Sequence, residues 1–403
     1  MHKEPPHRSQ GSPAEVFKAF LRLGLTSFGG PIAHLGYFRR ELVEARKWVT
    51  EGEYAQLLAL CQFLPGPASS QLGFSLGLVR AGWAGALAAF TAFTLPSAAL
   101  LVAFATALPH LAGDTASAAI HGLKLVALAV VAHGVLGMAR RLCPDRPRAA
   151  VAAVATAMVL VGGTAWVQLL AVAFGAAVGL VACTEARVDG SGLSPGYGRR
   201  LGWTLLVVFA LLFAGLGLGA GLSGGDDGLL AVSEAFYRAG ALVFGGGHVV
   251  LPLLEETVVD PGWIPQGDFL AGYGAAQAVP GPMFSFAAYL GTRLPGDDGG
   301  LLGAAVAVAS IFLPGFLLVG GILPLWRSIA ERPLAARAVA GINAAVVGLL
   351  GAALYDPVWT SAVRGPVDVA IAVVAFTLLA GWRVSAIVVV AWCVAASLAA
   401  GML

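Results

Sequence analysis

The sequence predicts an all-α integral membrane protein of two inverted homologous halves, each with re-entrant half-helix hairpins. Three observations predict it. Of 403 residues, 58% are hydrophobic and only 11% charged, whereas an average soluble protein carries about 25% charged residues. Lipid must cover much of such a chain. Two segments about 215 residues apart carry the same motifs. Lys and Arg gather in alternate loops, in opposite phase in the two segments.

Taken in order, residues 1–13 are a polar, Pro-containing tail. They are no cleavable signal, because no apolar core follows a basic start within them. A first repeat then covers 14–184, a cytoplasmic linker and orientation-flipping span covers 185–230, and a second repeat covers 231–403. A crossing needs about 20 apolar residues. Runs at 82–108, 116–139, 149–163, 166–184, 201–222, 301–323, 334–355, 366–381 and 383–402 give roughly nine full spans. Shorter or amphipathic runs at 14–28, 53–64, 68–79, 231–244, 268–279 and 283–292 precede them in each half. These supply about four re-entrant hairpins.

Loop charge sets the sidedness. Arg140, Arg141, Arg146 and Arg148 place their loop in the cytoplasm, as do Arg187, Arg199 and Arg200 for the linker. The loop 109–115 has neither Lys nor Arg and is expected outside, and 356–365, with one Arg, likewise. Arg327, Arg332 and Arg337 mark a cytoplasmic loop. The long span after the first motif group therefore ends outside, and its counterpart in the second half ends inside. The span 201–222 performs the inversion. The N-terminus is expected in the cytoplasm and the C-terminus outside.

The repeat is specific. FGGP at 28–31, W-x-x-x-G-E-Y at 48–54 and QFLPGP at 62–67 return as FGGG at 244–247, W-x-x-x-G-D-F at 263–269 and QAVPGP at 277–282. Phe28 and Phe244 are 216 residues apart, Gln62 and Gln277 are 215, and Pro96 and Pro314 are 218. Upstream, Arg22 and Gly24 match Arg238 and Gly240.

Gly and Pro break helices, and in lipid a break survives only when buried in protein or lining a watery cavity. The expected hairpin tips are Gly29-Gly30-Pro31 and Pro65-Gly66-Pro67, with mates Gly245-Gly246-Gly247 (followed by His248) and Pro280-Gly281-Pro282. Helix starts carry free N–H groups and partial positive charge, so they bind anions without a buried cation. Tips pointing inward from both halves make a midplane anion site, the usual location in inverted-repeat transporters. Ser69, Ser70 and Ser285 follow the PGP turns and either donate to an oxyanion or cap their half-helices. Gln62 and Gln277 either line the site or bond the exposed backbone.

Charged groups are costly in lipid. Lys124 lies inside the 116–139 run, where the second half has Asn343. It either counters substrate charge or sits in a polar crevice. Arg22 and Arg238 attract a dianion or snorkel to the interface. Glu41 and Glu256 take part in proton coupling or form ion pairs, while Glu53 and Asp268 read as helix-start acids. His121 and His133 read as packed helix histidines. Cys61, Cys143, Cys183 and Cys393 form no metal-ligand pattern and read as small packing residues.

The net charge of +2 is too small to imply nucleic acid. No Walker A sequence is present, and neither GxSxG nor HExxH, which argues against ATP drive and against a membrane enzyme. No cofactor or metal is expected. The remaining classes are a secondary transporter and a passive anion channel.

Through Phe28-Gly29-Gly30-Pro31, the Trp48 segment, Gln62 to Pro67 and their repeats around Phe244 and Pro280, the chain resembles the chromate transporter family in its long two-domain form. The resemblance covers nearly the whole chain. It implies export of chromate, with sulfate as a structural look-alike, coupling to the proton motive force as an antiporter, chromate resistance, and residence in a bacterial inner membrane. Gly247 in place of Pro31 and Lys124 in place of Asn343 make the halves inequivalent. Oligomeric state is open, a homodimer included.

Overall fold

The computed structural model describes residues 11–28, 30–110, 113–162, 165–183, 196–222, 228–244, 249–326, 328 and 332–401, and these are helical with short connections. The first half opens with α1 (Pro13–Thr26). Ser12 caps it by accepting from the Glu15 N–H, and Pro13 occupies the first helical position. One face buries Val16, Ala19, Phe20 and Leu23, while Lys18 and Arg22 point outward. Next come α2 (Gly30–Phe38), a wide turn over Arg39–Ala45, and α3 (Glu51–Phe63). Thr50 and Glu53 cap α3 reciprocally, as a helix-start acid should. Trp48 anchors the connection between them. Its Nε1 donates to Glu15 at 3.0 Å, and the Arg80 guanidinium lies over its ring at 5.4 Å.

α4 (Ala68–Ala107) is two helices joined at a break. Ala81 (φ −143°, ψ 28°) leads into Gly82 at φ +66°, a left-handed conformation that favours glycine. The arm before the break is about 20 Å long at 1.5 Å per residue, about two thirds of an apolar bilayer core of about 30 Å. The arm after it is long enough to cross. They fold back on each other through Gly77 and Gly85, where an added Cβ would strike the facing carbonyl. The second half repeats this with α12 (Phe286–Arg293) and α13 (Gly300–Ile322), in contact through Gly291 and Gly303. There the connection is the longer segment 294–299. The short runs expected at 68–79 and 283–292 are thus separate arms that lead into full-length helices.

The remaining helices are α5 (Asp114–Leu142), α6 (Arg146–Gly162), α7 (Ala165–Ala182), α8 (Arg199–Leu222), α9 (Leu229–Leu242), α10 (Val250–Val258), α11 (Gln266–Ala276), α14 (Pro333–Ala353), α15 (Pro366–Ala380) and α16 (Ala386–Ala400). Among the described residues, five helical stretches are long and apolar enough to cross a membrane: Ala68–His110, Asp114–Leu142, Arg199–Ala220, Gly300–Leu325 and Pro333–Ala362. Val167–Ala182, Pro366–Ala380 and Ala386–Ala400 are apolar but shorter. Val161 and Val181, on α6 and α7, are 88% and 82% exposed, a pattern that suits lipid and not water.

Each half lends its terminal hairpin to the other. α6 and α7 pack on α14, with Gly175 and Gly179 against Gly341. α15 and α16 pack on α5, with Gly122 against the backbone of Cys393 and Val394. Small residues let these backbones approach closely. Cys61, Cys183 and Cys393 are buried, Cys143 is partly exposed, and all four are free thiols.

Candidate functional site

The helix breaks of the two halves interlock. At the first, α3 ends in extended Leu64, and the chain turns at Gly66 with φ +121° before α4 begins. At the second, α11 ends before Gln277, and Gly281 turns with φ +105°. The Gly66 N–H donates to the Val243 carbonyl at 2.7 Å, and the Gly281 N–H donates to the Ser27 carbonyl at 3.1 Å. Ser27 and Val243 end α1 and α9, one residue ahead of Phe28 and Phe244. Corresponding residues therefore make the same bond twice, each PGP turn closing on the break of the opposite half.

Each PGP turn also rests beside the proline of the opposite long helix. A Cβ on Gly66 would lie 3.1 Å from the Gly315 Cα, beside Pro314 in α13. A Cβ on Gly281 would lie 2.8 Å from Ser97 Oγ, beside Pro96 in α4. Gln71 fastens the first contact, its Nε2 donating to the Pro65 carbonyl at 2.8 Å and the Gly315 carbonyl at 3.1 Å. Ser97 and Ser285 fasten the second, 2.6 Å apart at their hydroxyls. Ser97 donates to the Thr94 carbonyl at 2.9 Å, which leaves Ser285 as the donor between the serines.

Around these contacts lies a set of buried polar atoms without partners among the described residues. They are the hydroxyls of Ser27, Ser70 and Thr94, Oε1 of Gln71 and Nδ1 of His34. Buried polar groups are normally paired, so such a group concentrated at one place marks a site. His34 is fully buried. Its Nε2 lies 3.1 Å from the Ser27 carbonyl and must carry the proton there, which leaves Nδ1 as the unpaired atom. Ser69 and Ser70 are buried on the first turn of α4, where the N–H groups of the opening turn face the break.

The other predicted residues fall in distinct places. Pro65 is partly buried, and Pro67, Pro280 and Pro282 are buried in the turns; Gly30 and Pro31 begin α2. Gly29, Gly245, Gly246, Gly247 and His248 lie outside the described residues. Gln62 accepts from Arg141 at the end of α5. Gln277 is buried, its Nε2 3.5 Å from the Tyr273 carbonyl. Asn343 is on α14 with an unpaired buried Oδ1. Lys124 reaches the start of α11, beside Gly267 and near Asp268 and Arg364. Asp268 is itself paired with Arg293 at 2.7 Å.

The matched charges pair with one another. Arg22 lies 4.0 Å from Glu41, which Arg46 also holds at 2.8 Å. Arg238 lies 3.5 Å from Glu256 and 2.9 Å from Glu234. His121 is paired with Asp368 at 2.8 Å, a contact between the halves.

A cavity of about 520 Å³ opens beside the breaks. Phe28, Gly30 and Gln277 line it from the site, and His133, Arg140 and Arg383 from α5 and from the turn between α15 and α16.

His34 and Gln71 were not foreseen from sequence. Both stand within a few residues of the motif prolines, and their polarity inside otherwise apolar helices is the signal that could have found them.

Comparison with known proteins agrees with the motifs. The chromate transporter family profile matches residues 14–180 and 230–401. A probable chromate transport protein of Synechococcus elongatus is 31% identical over 356 residues, covering 84% of this chain and 83% of that protein. A chromate transport protein of Pseudomonas aeruginosa is 27% identical over 384 residues, covering 92% and 87%. An uncharacterized transporter of Methanocaldococcus jannaschii is 23% identical over 384 residues, covering 95% and 89%. No solved structure matches the chain. With the family region present twice and nearly the whole length matched, this multi-pass membrane protein belongs to the chromate transporter family, a family of transporters and not of enzymes, in its long two-domain form.

Proposed function

We propose that the chain is a secondary transporter that exports chromate across the bacterial cytoplasmic membrane, using a site where the broken helices of the two halves meet. The observation that carries the reading is the reciprocal closure of Gly66 on Val243 and of Gly281 on Ser27. It brings breaks from both halves to one place lined by neutral hydrogen-bonding groups. A tetrahedral dianion there meets the opening N–H groups of α4 and the hydroxyls of Ser27, Ser70 and Thr94. Such a site stabilises charge through oriented dipoles, and no buried cation has to be desolvated for it. The names of relatives in Synechococcus and Pseudomonas supply chromate as the dianion.

In this reading the halves lie in opposite orientations, with α8 as the flipping span. The N-terminus is cytoplasmic and the C-terminus external, on the distribution of basic loops. Each half then presents re-entrant arms from one side, and rocking of one half on the other alternates access. The Arg22–Glu41 and Arg238–Glu256 pairs are the coupling elements, because protonating either carboxylate removes a partner from an arginine near a hairpin base. Lys124 is given a supporting role. Its amino group lies at the opposite end of α11 from the turn at Gly281, about 16 Å along the helix.

The test is transport by the purified chain in liposomes under an imposed proton gradient. Chromate should accumulate above equilibrium, a protonophore should abolish the accumulation, and sulfate and molybdate should compete in graded fashion. Flux that ignores the gradient makes the protein a channel, and no flux removes the reading.

A further inference from the structure

Charge is distributed unevenly in the cavity beside the breaks. Among the described residues its lining holds Arg140, Arg383 and His133 and no carboxylate. Neighbouring basic residues are engaged within the protein: Arg141 donates to Gln62, and Arg148 pairs with Asp145 at 3.0 Å. Arg140 and Arg383 form no ion pair among the described residues. Arg383 also holds φ +55°, a left-handed backbone conformation in which a long side chain is strained. The two come from opposite halves. Arg140 lies in the last turn of α5, and Arg383 in the turn between α15 and α16, the helices that pack on α5.

We propose that Arg140 and Arg383 form a capture site for a divalent oxyanion, one step outside the helix-break site. The proposal rests on the reading of the chain as an oxyanion transporter. Guanidinium groups bind oxyanions through paired N–H donors, and they attract them from solution when no carboxylate competes. The walls make the connection inward. Phe28, Gly30 and Gln277 belong to the breaks of the two halves, so an anion held by the arginines stands next to the start of α2. Both arginines lie in segments that the basic-loop pattern assigns to the cytoplasmic face, the face from which an exporter must load. A role limited to membrane orientation would require positive charge on that side, but neither freedom from carboxylates nor placement around one cavity.

The experiment measures initial rates of chromate movement against chromate concentration in liposomes containing the full chain. Arg140→Gln and Arg383→Gln should each raise KM several-fold, and the double variant roughly tenfold or more, with the maximal rate falling far less. Arg140→Lys and Arg383→Lys should lie between, because they keep the charge and lose the paired donors. In the unaltered chain KM should rise with ionic strength, and the double Gln variant should lose most of that dependence. The single variants, taken through the same salt series, keep the proposal testable if the double variant fails to insert: each should lose part of the dependence, and an unaltered dependence in both overturns the capture site. Unaltered KM and salt dependence in a double variant that still moves chromate overturn the capture site alone. An unaltered chain that moves no chromate overturns the transport reading and the capture site with it.

Discussion

In the first half the PGP turn is held by Gln71, whose single amide ties Pro65 to Gly315 across the interface between halves. In the second half the corresponding turn is held by two hydroxyls, Ser285 against Ser97. The backbone bond beneath is the same in both, a glycine N–H to the last carbonyl of the opposite amphipathic helix. The duplication preserved the interlock and let its fastening diverge. A long amide can follow small movements of α13, whereas two short hydroxyls 2.6 Å apart cannot. On this comparison the Gly281 side is the stiffer of the two.

The largest expected effect comes from breaking the shared part. Gly66→Leu and Gly281→Leu should each abolish chromate flux in liposomes. A branched side chain there must adopt positive φ, at a cost of order 1–3 kcal/mol, and must also displace the opposite half. Membrane content by immunoblot separates loss of transport from loss of protein. Milder changes sharpen the contrast. Gly281→Ala should lower the midpoint of thermal unfolding more than Gly66→Ala. Both new methyls meet opposite backbone, the Phe93 carbonyl in the former and the Gly315 Cα in the latter, but the nearest side chain is short Ser97 in the former and the longer Gln71 in the latter.

Removing the fasteners comes next. Gln71→Ala leaves the buried Gly315 carbonyl and the part-buried Pro65 carbonyl without this donor, and an orphaned buried group costs about 1–3 kcal/mol. Ser285→Ala removes one neutral hydrogen bond, worth about 0.5–1.5 kcal/mol. Melting of the detergent-solubilised protein should rank them in that order. A double-mutant cycle on Ser97 and Ser285 should show coupling, and none between Ser285 and Gln71.

The surface pairs should matter less to stability. Arg238→Gln should destabilise more than Arg22→Gln, since Arg238 faces two carboxylates at 2.9 and 3.5 Å, and Arg22, with a side chain 72% exposed, faces one at 4.0 Å. Both should stay within about 1 kcal/mol. The smallest effect is expected for Lys124→Ala, whose KM for chromate should remain within about twofold, because the lysine stands beside Gly267 and away from the breaks.

Much of this was legible in the chain. Gly and Pro placed the breaks, the repeat paired Gly66 with Gly281 and Arg22 with Arg238, and the short runs ahead of 82–108 and 301–323 marked the arms. These signals are local: a residue type at a spacing. What crosses between halves was not legible. Nothing near Gly66 points to Val243, and nothing near Gln71 points to Gly315, since those partners are set by packing more than 170 residues away. Gln62 matched Gln277 by repeat, yet Arg141 engages one and the other stays buried by the cavity. His34 escaped notice because a lone histidine just after a motif looks like packing until its unpaired Nδ1 is seen.

The most direct test of a shared site is amide hydrogen exchange of the unaltered protein with and without saturating chromate. An anion seated between interlocked breaks should slow exchange together in peptides spanning 66–72 and 281–287, and leave peptides around Lys124 unchanged. Slowing confined to one half, or centred on 120–126, would contradict a site built jointly by the two halves.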